Sequence, residues 1–251
     1  MLERLKIFLH NGKQYIPDPT AVEVPGRFRG RPVIAKGGEK DNAVLVELCP
    51  TGAITNEGGL ALDLGRCCFC GECERRCPNK IRFTKDYKMA TNVRERLVVR
   101  EGEESPITLD STAVRDELKG MFRHSLKLRQ VSAAGDNSCE WELGATSNVN
   151  FDMGRYGIEF VASPRHADGI VITGPISKNM EKALEICDEA VPDPKIVVLA
   201  GTDAISGGIF SDSEELDRTW LESHKPDLYL PGNPCHPLTV INGLLELMKS
   251  K

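Results

Sequence analysis

The chain has 251 residues, 32 Lys and Arg against 37 Asp and Glu, a formal net charge of −5 and 40% hydrophobic residues, a composition that suits one large or two modest globular domains. The acidic balance and an aromatic content of 6% exclude the basic, base-stacking surface of a nucleic-acid binder. No apolar run approaches the roughly 20 residues that span a bilayer, and Met1 to His10 is too short and too charged for a secretion signal. A cytoplasmic protein is expected, with membrane contact only indirect, through partners.

In chain order, Met1 to Pro17 reads as a short amphipathic helix bearing Leu2, Leu5, Ile7 and Phe8, followed by an extended segment. The basic run from Pro25 to Pro32 is either a docking patch for an acidic partner or a solvated loop. A cysteine-bearing α+β unit follows over about Arg31 to Lys85, with a hairpin from Ala53 to Asp63 turning at Asn56-Glu57-Gly58-Gly59. Asp86 to Arg100 extends that unit and ends in the strand-forming Leu97-Val98-Val99. The first domain is placed at 1–100, a linker at 101–110 and a second domain at 111–251.

The cysteines of the first domain carry its chemistry. Cys67, Cys70, Cys73 and Cys77-Pro78 have the C-x2-C-x2-C-x3-C-P spacing of a bacterial ferredoxin half. Three thiols on one tight loop can face one 4Fe-4S cubane, and Gly71 lets the backbone approach it. Cys49-Pro50 repeats Cys77-Pro78 at an offset of 28 residues, and the same offset places Glu39, Asn42 and Leu45 where the first half would carry its loop cysteines. One cluster is therefore expected. In two-cluster ferredoxins the fourth cysteine of a run serves the other cluster, which makes Cys49 the fourth ligand to Cys67, Cys70 and Cys73 and leaves Cys77 spare. Cys68 is expected to pack as a small apolar residue. Zinc would favour two separated C-x2-C pairs, and disulfides a secreted chain.

From Ser111 the pattern alternates: a helix at Ser111 to Arg123, strands at Leu126 to Ala133, Ile158 to Ala162 and Gly169 to Thr173, a helix at Lys178 to Ala190, strands at Ile196 to Ala200 and Asp227 to Leu230, and a last helix at Pro237 to Met248. Short, nearly all-apolar strands between helices predict an α/β, doubly wound, mostly parallel sheet. Ligands and partners meet such folds at the carboxyl ends of the strands. Cys187 on the helix Lys178 to Ala190 is expected to be a core thiol.

The loops Ala134-Gly135-Asp136-Asn137-Ser138-Cys139-Glu140, Gly201-Thr202-Asp203, Pro231-Gly232-Asn233-Pro234-Cys235-His236-Pro237 and Ser163-Pro164-Arg165-His166-Ala167-Asp168 together resemble the small iron-sulfur subunit of energy-converting, formate hydrogenlyase-type nickel-iron hydrogenases and the homologous proximal-cluster (20 kDa) subunit of complex I. The resemblance covers 111–251 and implies a flavodoxin-like domain docked on a large hydrogenase-like or complex I-like subunit. It also implies four loop cysteines holding a proximal 4Fe-4S cluster. Here Cys139 fits the second of these, whereas the first, third and fourth fall on Asp136, Asp203 and Asn233, with Cys235 two residues further on. Carboxylate and amide are poor substitutes for thiolate, so the proximal cluster is expected to be absent. A remnant of Cys139, Cys235, Asp136, Asp203 and His236 binding zinc or a single iron is the competing reading. Arg165 is a candidate partner-facing cation, and His166 reads as a turn residue bonded to backbone.

The leading expectation is an electron-transfer subunit, not itself catalytic, of a membrane-associated oxidoreductase on the cytoplasmic face. The alternatives are a structural or regulatory docking module that has lost its chemistry, and a free-standing ferredoxin-like carrier with a small-molecule site at Asp136, Asp203 and Cys139.

Overall fold

The computed structural model describes residues 2–12, 14–122 and 124–249; Met1, Lys13, Arg123, Ser250, Lys251 and the side chain of Glu39 lie outside that description. After helix α1 (Leu2–Asn11) the chain builds β1 (Pro32–Ile34), α2 (Asn42–Leu48), β2 (Ile54–Thr55), β3 (Ala61–Asp63), α3 (Glu72–Arg76), β4 (Ile81–Phe83) and β5 (Val98–Arg100). These strands form two interlocked halves. β1 pairs antiparallel with β4, Pro32 opposite Phe83, while β2, β3 and β5 form an antiparallel sheet. The first strand of one half thus meets the last strand of the other, and the 28-residue sequence repeat becomes a structural repeat.

The rest of the chain contributes β6 (Leu126–Ser132), α4 (Ser138–Ala145), β7 (Ile158–Phe160), β8 (Gly169–Thr173), α5 (Lys178–Ala190), β9 (Ile196–Ala200), α6 (Thr202–Ser206), α7 (Trp220–Ser223), β10 (Leu228–Leu230) and α8 (Pro237–Lys249). The five strands are all parallel in the order β10-β9-β8-β6-β7. Read from the other edge this is the flavodoxin-like order 2-1-3-4-5, whose reversal point lies between the first and third strands, here β6 and β8.

Strand periodicity divides the interior into two cores. Ile170, Ile172, Val197 and Leu199 face Leu184 of α5 and continue into Ile34, Leu62 and Ile81 of the amino-terminal unit. Val171, Val198, Leu228 and Leu230 face Ile241 and Leu244 of α8. Both faces are covered, which is why these strands read as unbroken apolar runs. The β10 edge is closed by a bridge in which Tyr229 N donates to Thr91 O at 2.8 Å, so residues leading out of the first unit block an open strand edge.

Three expectations are corrected. The helix at Ser111 to Arg123 is two 3-10 turns, Ser111–Ala113 and Asp116–Leu118; between them Arg115 leaves helical geometry, its side chain donating to both carboxylate oxygens of Asp227 at 2.7 and 2.8 Å. The basic run is not solvated throughout: Arg27 is exposed, but other residues of the run are tied into the fold. Arg31 is buried and donates to Glu104 O and Ser105 O, Arg29 donates to Phe69 O, and Lys85 holds Gly26 O and Phe28 O. Finally, the loop after β6 ends in helix α4, begun at Asn137 with φ 74° and missed because Gly144 and Trp141 blur its helical period.

Candidate metal centre and the strand-end loops

The cysteine loop leaves β3 through a turn in which Cys67 N donates to Asp63 O at 2.9 Å. Arg94 grips both oxygens of the Asp63 carboxylate at 2.8 and 2.7 Å, so an ion pair of the bidentate type fixes the start of the loop. Phe69 (φ 52°) and Gly71 (φ 76°) then adopt left-handed backbone and curl the chain. This brings Cys67, Cys68, Cys70 and Cys73 to one pocket, and Cys49, at the end of α2, lines the same pocket. Leu48, Ile54, Leu62 and Phe83 contribute apolar side chains to the lining.

Two backbone donors face sulfur: Ala53 N to Cys49 Sγ and Phe69 N to Cys67 Sγ, both 3.3 Å. Burial pushes the Cys67 thiol far up, with Cys73, Cys68 and Cys49 adding to the rise. Burial likewise pushes the Cys73 thiol up to about 11. Gathering thiols in an apolar pocket is thus unfavourable for bare thiolates, and a positively charged metal centre reverses that cost. Among the described residues no three His, Cys, Asp or Glu side chains converge on a single ion. The thiols share one pocket, and soft thiolates with N–H···S bonds are the donor chemistry of an iron-sulfur cubane.

Cys77 stands elsewhere. It is half-buried against the core, is not among the residues lining this pocket, and its carbonyl accepts from Lys80 N and Ile81 N. In the other half, Asn42 and Leu45 occupy the positions of two missing loop cysteines and are buried at 3% and 0% exposure. Cys68, next to the turn at Phe69, is half-buried and lines the same pocket as Cys67.

The carboxyl ends of β6, β8, β9 and β10 converge as the strand order requires. A Cβ on Gly174 would stand 2.3 Å from Gly135 N, and one on Gly201 would stand 2.4 Å from Cys139 Sγ, so these loops pack too closely for any side chain at either glycine. Thr202 N donates to Gly232 O at 2.9 Å. Asp136 is turned into its own loop, accepting from Ser138 N and Oγ at 2.9 and 2.6 Å, which holds its carboxyl below the usual range. Burial, then the charges of Asp136 and Glu140, push the Asp203 carboxyl up, and its Oδ1 has no hydrogen-bond partner. Cys235 is wholly buried beside Cys139; hydrogen bonding to that thiol, then burial, push it well up. One thiol, two carboxylates and an amide at the four loop positions do not make the donor set of a cubane.

The Ser163 to Asp168 signature lies at the other end of the sheet. Asp168 Oδ2 accepts from Lys127 N at 2.7 Å, and its carbonyl accepts from Ile196 N, so this residue aligns the starts of β6, β8 and β9. Arg165 and His166 are exposed on a 3-10 turn. Cys187 packs against the core beneath α5. Beside the strand-end loops stands Glu142 on α4. It borders a cleft with Phe28, Arg29, Phe69, Met89, Asn233 and His236, and burial pushes its carboxyl up.

Comparison with known proteins places residues 137–247 in the family described as NADH ubiquinone oxidoreductase, 20 Kd subunit. Formate hydrogenlyase subunit 7 of Escherichia coli is 35% identical over 154 residues, 58% of this chain and 59% of that protein. An NADH-quinone oxidoreductase subunit of Citrifermentans bemidjiense is 40% identical over 109 residues, 43% of this chain and 64% of that protein. The probable membrane-bound hydrogenase subunit mbhJ of Pyrococcus furiosus is 30% identical over 115 residues, 46% of this chain and 69% of that protein. The chain thus spans about three fifths of the first two relatives, and the family match begins after the cysteine-rich unit. Among the described residues no helix is long and apolar enough to cross a membrane.

Proposed function

Because the chain belongs to the family of the NADH ubiquinone oxidoreductase 20 kDa subunit, we propose that it is an electron-transfer subunit of a multisubunit, membrane-associated oxidoreductase of the hydrogenase and complex I type. Its redox centre is one 4Fe-4S cluster in a ferredoxin-like unit at 1–100, fused to a family domain at 111–251 that docks on a large partner subunit. The observation that carries this reading is the pocket that gathers Cys49 with Cys67, Cys70 and Cys73.

A cluster held by those four cysteines supplies a one-electron couple whose potential follows its hydrogen bonds, burial and net charge. The residues around it set these quantities. Ala53 N and Phe69 N donate to ligand sulfurs, Leu62 and Phe83 keep water from one side, and Cys70, the exposed thiol of the set, marks the side open to a donor or acceptor. The mismatched donors Asp136, Cys139, Asp203 and Asn233 leave the family domain without its own proximal cluster.

Iron and acid-labile sulfide analysis, with electron paramagnetic resonance of the dithionite-reduced protein, tests both statements. About four irons per chain and a magnetically isolated signal are expected for one cubane. Twice that iron with coupled spectra would restore a proximal cluster, and none would remove the redox role.

A further inference from the structure

The segment that precedes the cysteine unit sets one cation against the cysteine loop. Lys85 donates to Gly26 O and Phe28 O, Gly30 N donates to Thr84 O at 2.8 Å, and the Phe28 ring stands edge-on to His236 with centroids 4.9 Å apart. The backbone is therefore held on both sides of Arg29. So anchored, the guanidinium donates from Nη1 to Phe69 O at 3.2 Å and lies over Gly71, where a Cβ would meet its Nε at 2.5 Å. Phe69 and Gly71 are the chain neighbours of Cys70. The charge of Arg29 is loosely compensated. Glu74 Oε2 stands 4.0 Å from its Nε, while Glu74 Oε1 accepts from Phe83 N at 3.0 Å, and Glu142 borders the same cleft as Arg29. Arg75 donates to Cys70 O at 3.4 Å but is ion-paired to Glu72, with both side chains more than half exposed, where water screens the charge.

We propose that Arg29 is the residue that holds up the redox potential of a cluster on the cysteine loop, by fixing one positive charge beside the backbone that flanks Cys70. Reduction by an external one-electron donor adds one electron, and so one negative charge, to the cluster and its thiolates. A fixed cation nearby stabilises that product more than the oxidised form. Because Arg29 touches the loop through main-chain atoms and carries no ligand atom, its charge can be removed without changing the donor set. The proposal rests on the cluster reading of the pocket and deepens it by naming what sets the potential.

The test poises the full chain anaerobically over a range of potentials with dye mediators and reads the reduced cluster by electron paramagnetic resonance. Arg29→Gln keeps an amide donor for Phe69 O and removes the charge. At the wild-type midpoint its oxidised-to-reduced ratio should be about threefold higher or more, a fall in potential of ~28 mV at the ~59 mV per tenfold of a one-electron couple. Arg29→Lys keeps the charge and should stay within about twofold of wild type. Arg82→Gln removes the same charge at an exposed position of β4 between the buried Ile81 and Phe83, and should move the ratio less than Arg29→Gln does. An unchanged midpoint in iron-replete Arg29→Gln would overturn the proposal. So would equal shifts in the Gln and Lys variants, which would make the contact and not the charge responsible, or an equal shift in Arg82→Gln, which would make net charge responsible. An iron-free Arg29→Gln chain would overturn it too, by making Arg29 a residue of cluster assembly. Iron measured on wild type separates the two readings: an iron-free wild-type chain removes the cluster itself, whereas full iron with an unmoved potential removes only the role of Arg29.

Discussion

Thr202 donates its side-chain hydroxyl to the main-chain carbonyl of Cys67 at 2.8 Å, inside the molecule, where Thr202 is 1% exposed. This bond joins the loop that follows β9 to Cys67, the first cysteine of the C-x2-C-x2-C run. Thr202→Val keeps the shape and removes the donor, leaving a buried carbonyl short of a partner. Such a loss costs about 1–3 kcal/mol. Urea unfolding under anaerobic conditions should show that loss for Val and much less for Thr202→Ser, which retains the hydroxyl. Equal midpoints for Val and wild type would mean the carbonyl is satisfied otherwise.

The crossed arrangement of the two halves makes a sharper prediction. Cys49 borders the pocket although it belongs to the half that has lost its loop cysteines, whereas Cys77, in the intact run, does not. Cys49→Ala is expected to lose bound iron and sulfide and the visible absorbance of the cluster. Cys77→Ala should retain them. The reverse pattern would assign the fourth ligand to Cys77 and remove the crossed ligation.

Much of this architecture was legible because it is written in local chemistry. The unbroken apolar runs of β8 and β9 and the helical faces of α5 and α8 pointed to the sheet, and the offset between Cys49 and Cys77 exposed the repeat. Long-range contacts were not legible. Nothing near Arg115 announces that Asp227 will pull it out of a helix. The same holds for Asp168, which stands in a recognisable signature yet bonds to the start of β6 and takes no part in the site.

Gly71 tests the loop geometry itself. Its backbone has φ 76°, and a Cβ there would come within 2.5 Å of Arg29 Nε, displacing the side chain that donates to Phe69 O. Left-handed backbone costs a non-glycine residue about 1–2 kcal/mol, so Gly71→Ala should lower the melting temperature by about 2–4 °C for each kcal/mol lost. The same substitution should reduce iron occupancy, because Phe69 and its N–H to Cys67 move with the turn. An unchanged melt and full iron would show that the loop reaches the cluster-binding form without a left-handed residue at 71.

His236 makes the pH dependence testable near neutrality. Burial pushes its pKa down from the ordinary 6.5. Its Nδ1 accepts from Leu238 N at 3.2 Å, and the rings of Phe28 and Phe151 stand edge-on against it, so the folded state holds the neutral ring. In the unfolded chain the ring takes up a proton as pH falls below 6.5, while the folded state resists it. The unfolded state then binds more protons, so stability is full above 6.5 and declines as pH falls, by at most about 1.4 kcal/mol per pH unit from this group. His236→Gln keeps an acceptor for Leu238 N and removes the titration. Urea midpoints measured from pH 7.5 down to about 5.5, a window spanning the ordinary histidine range, should fall more steeply for wild type than for the variant. Parallel curves would show that His236 titrates alike in both states, and that the ring is not held neutral by its place at the start of α8.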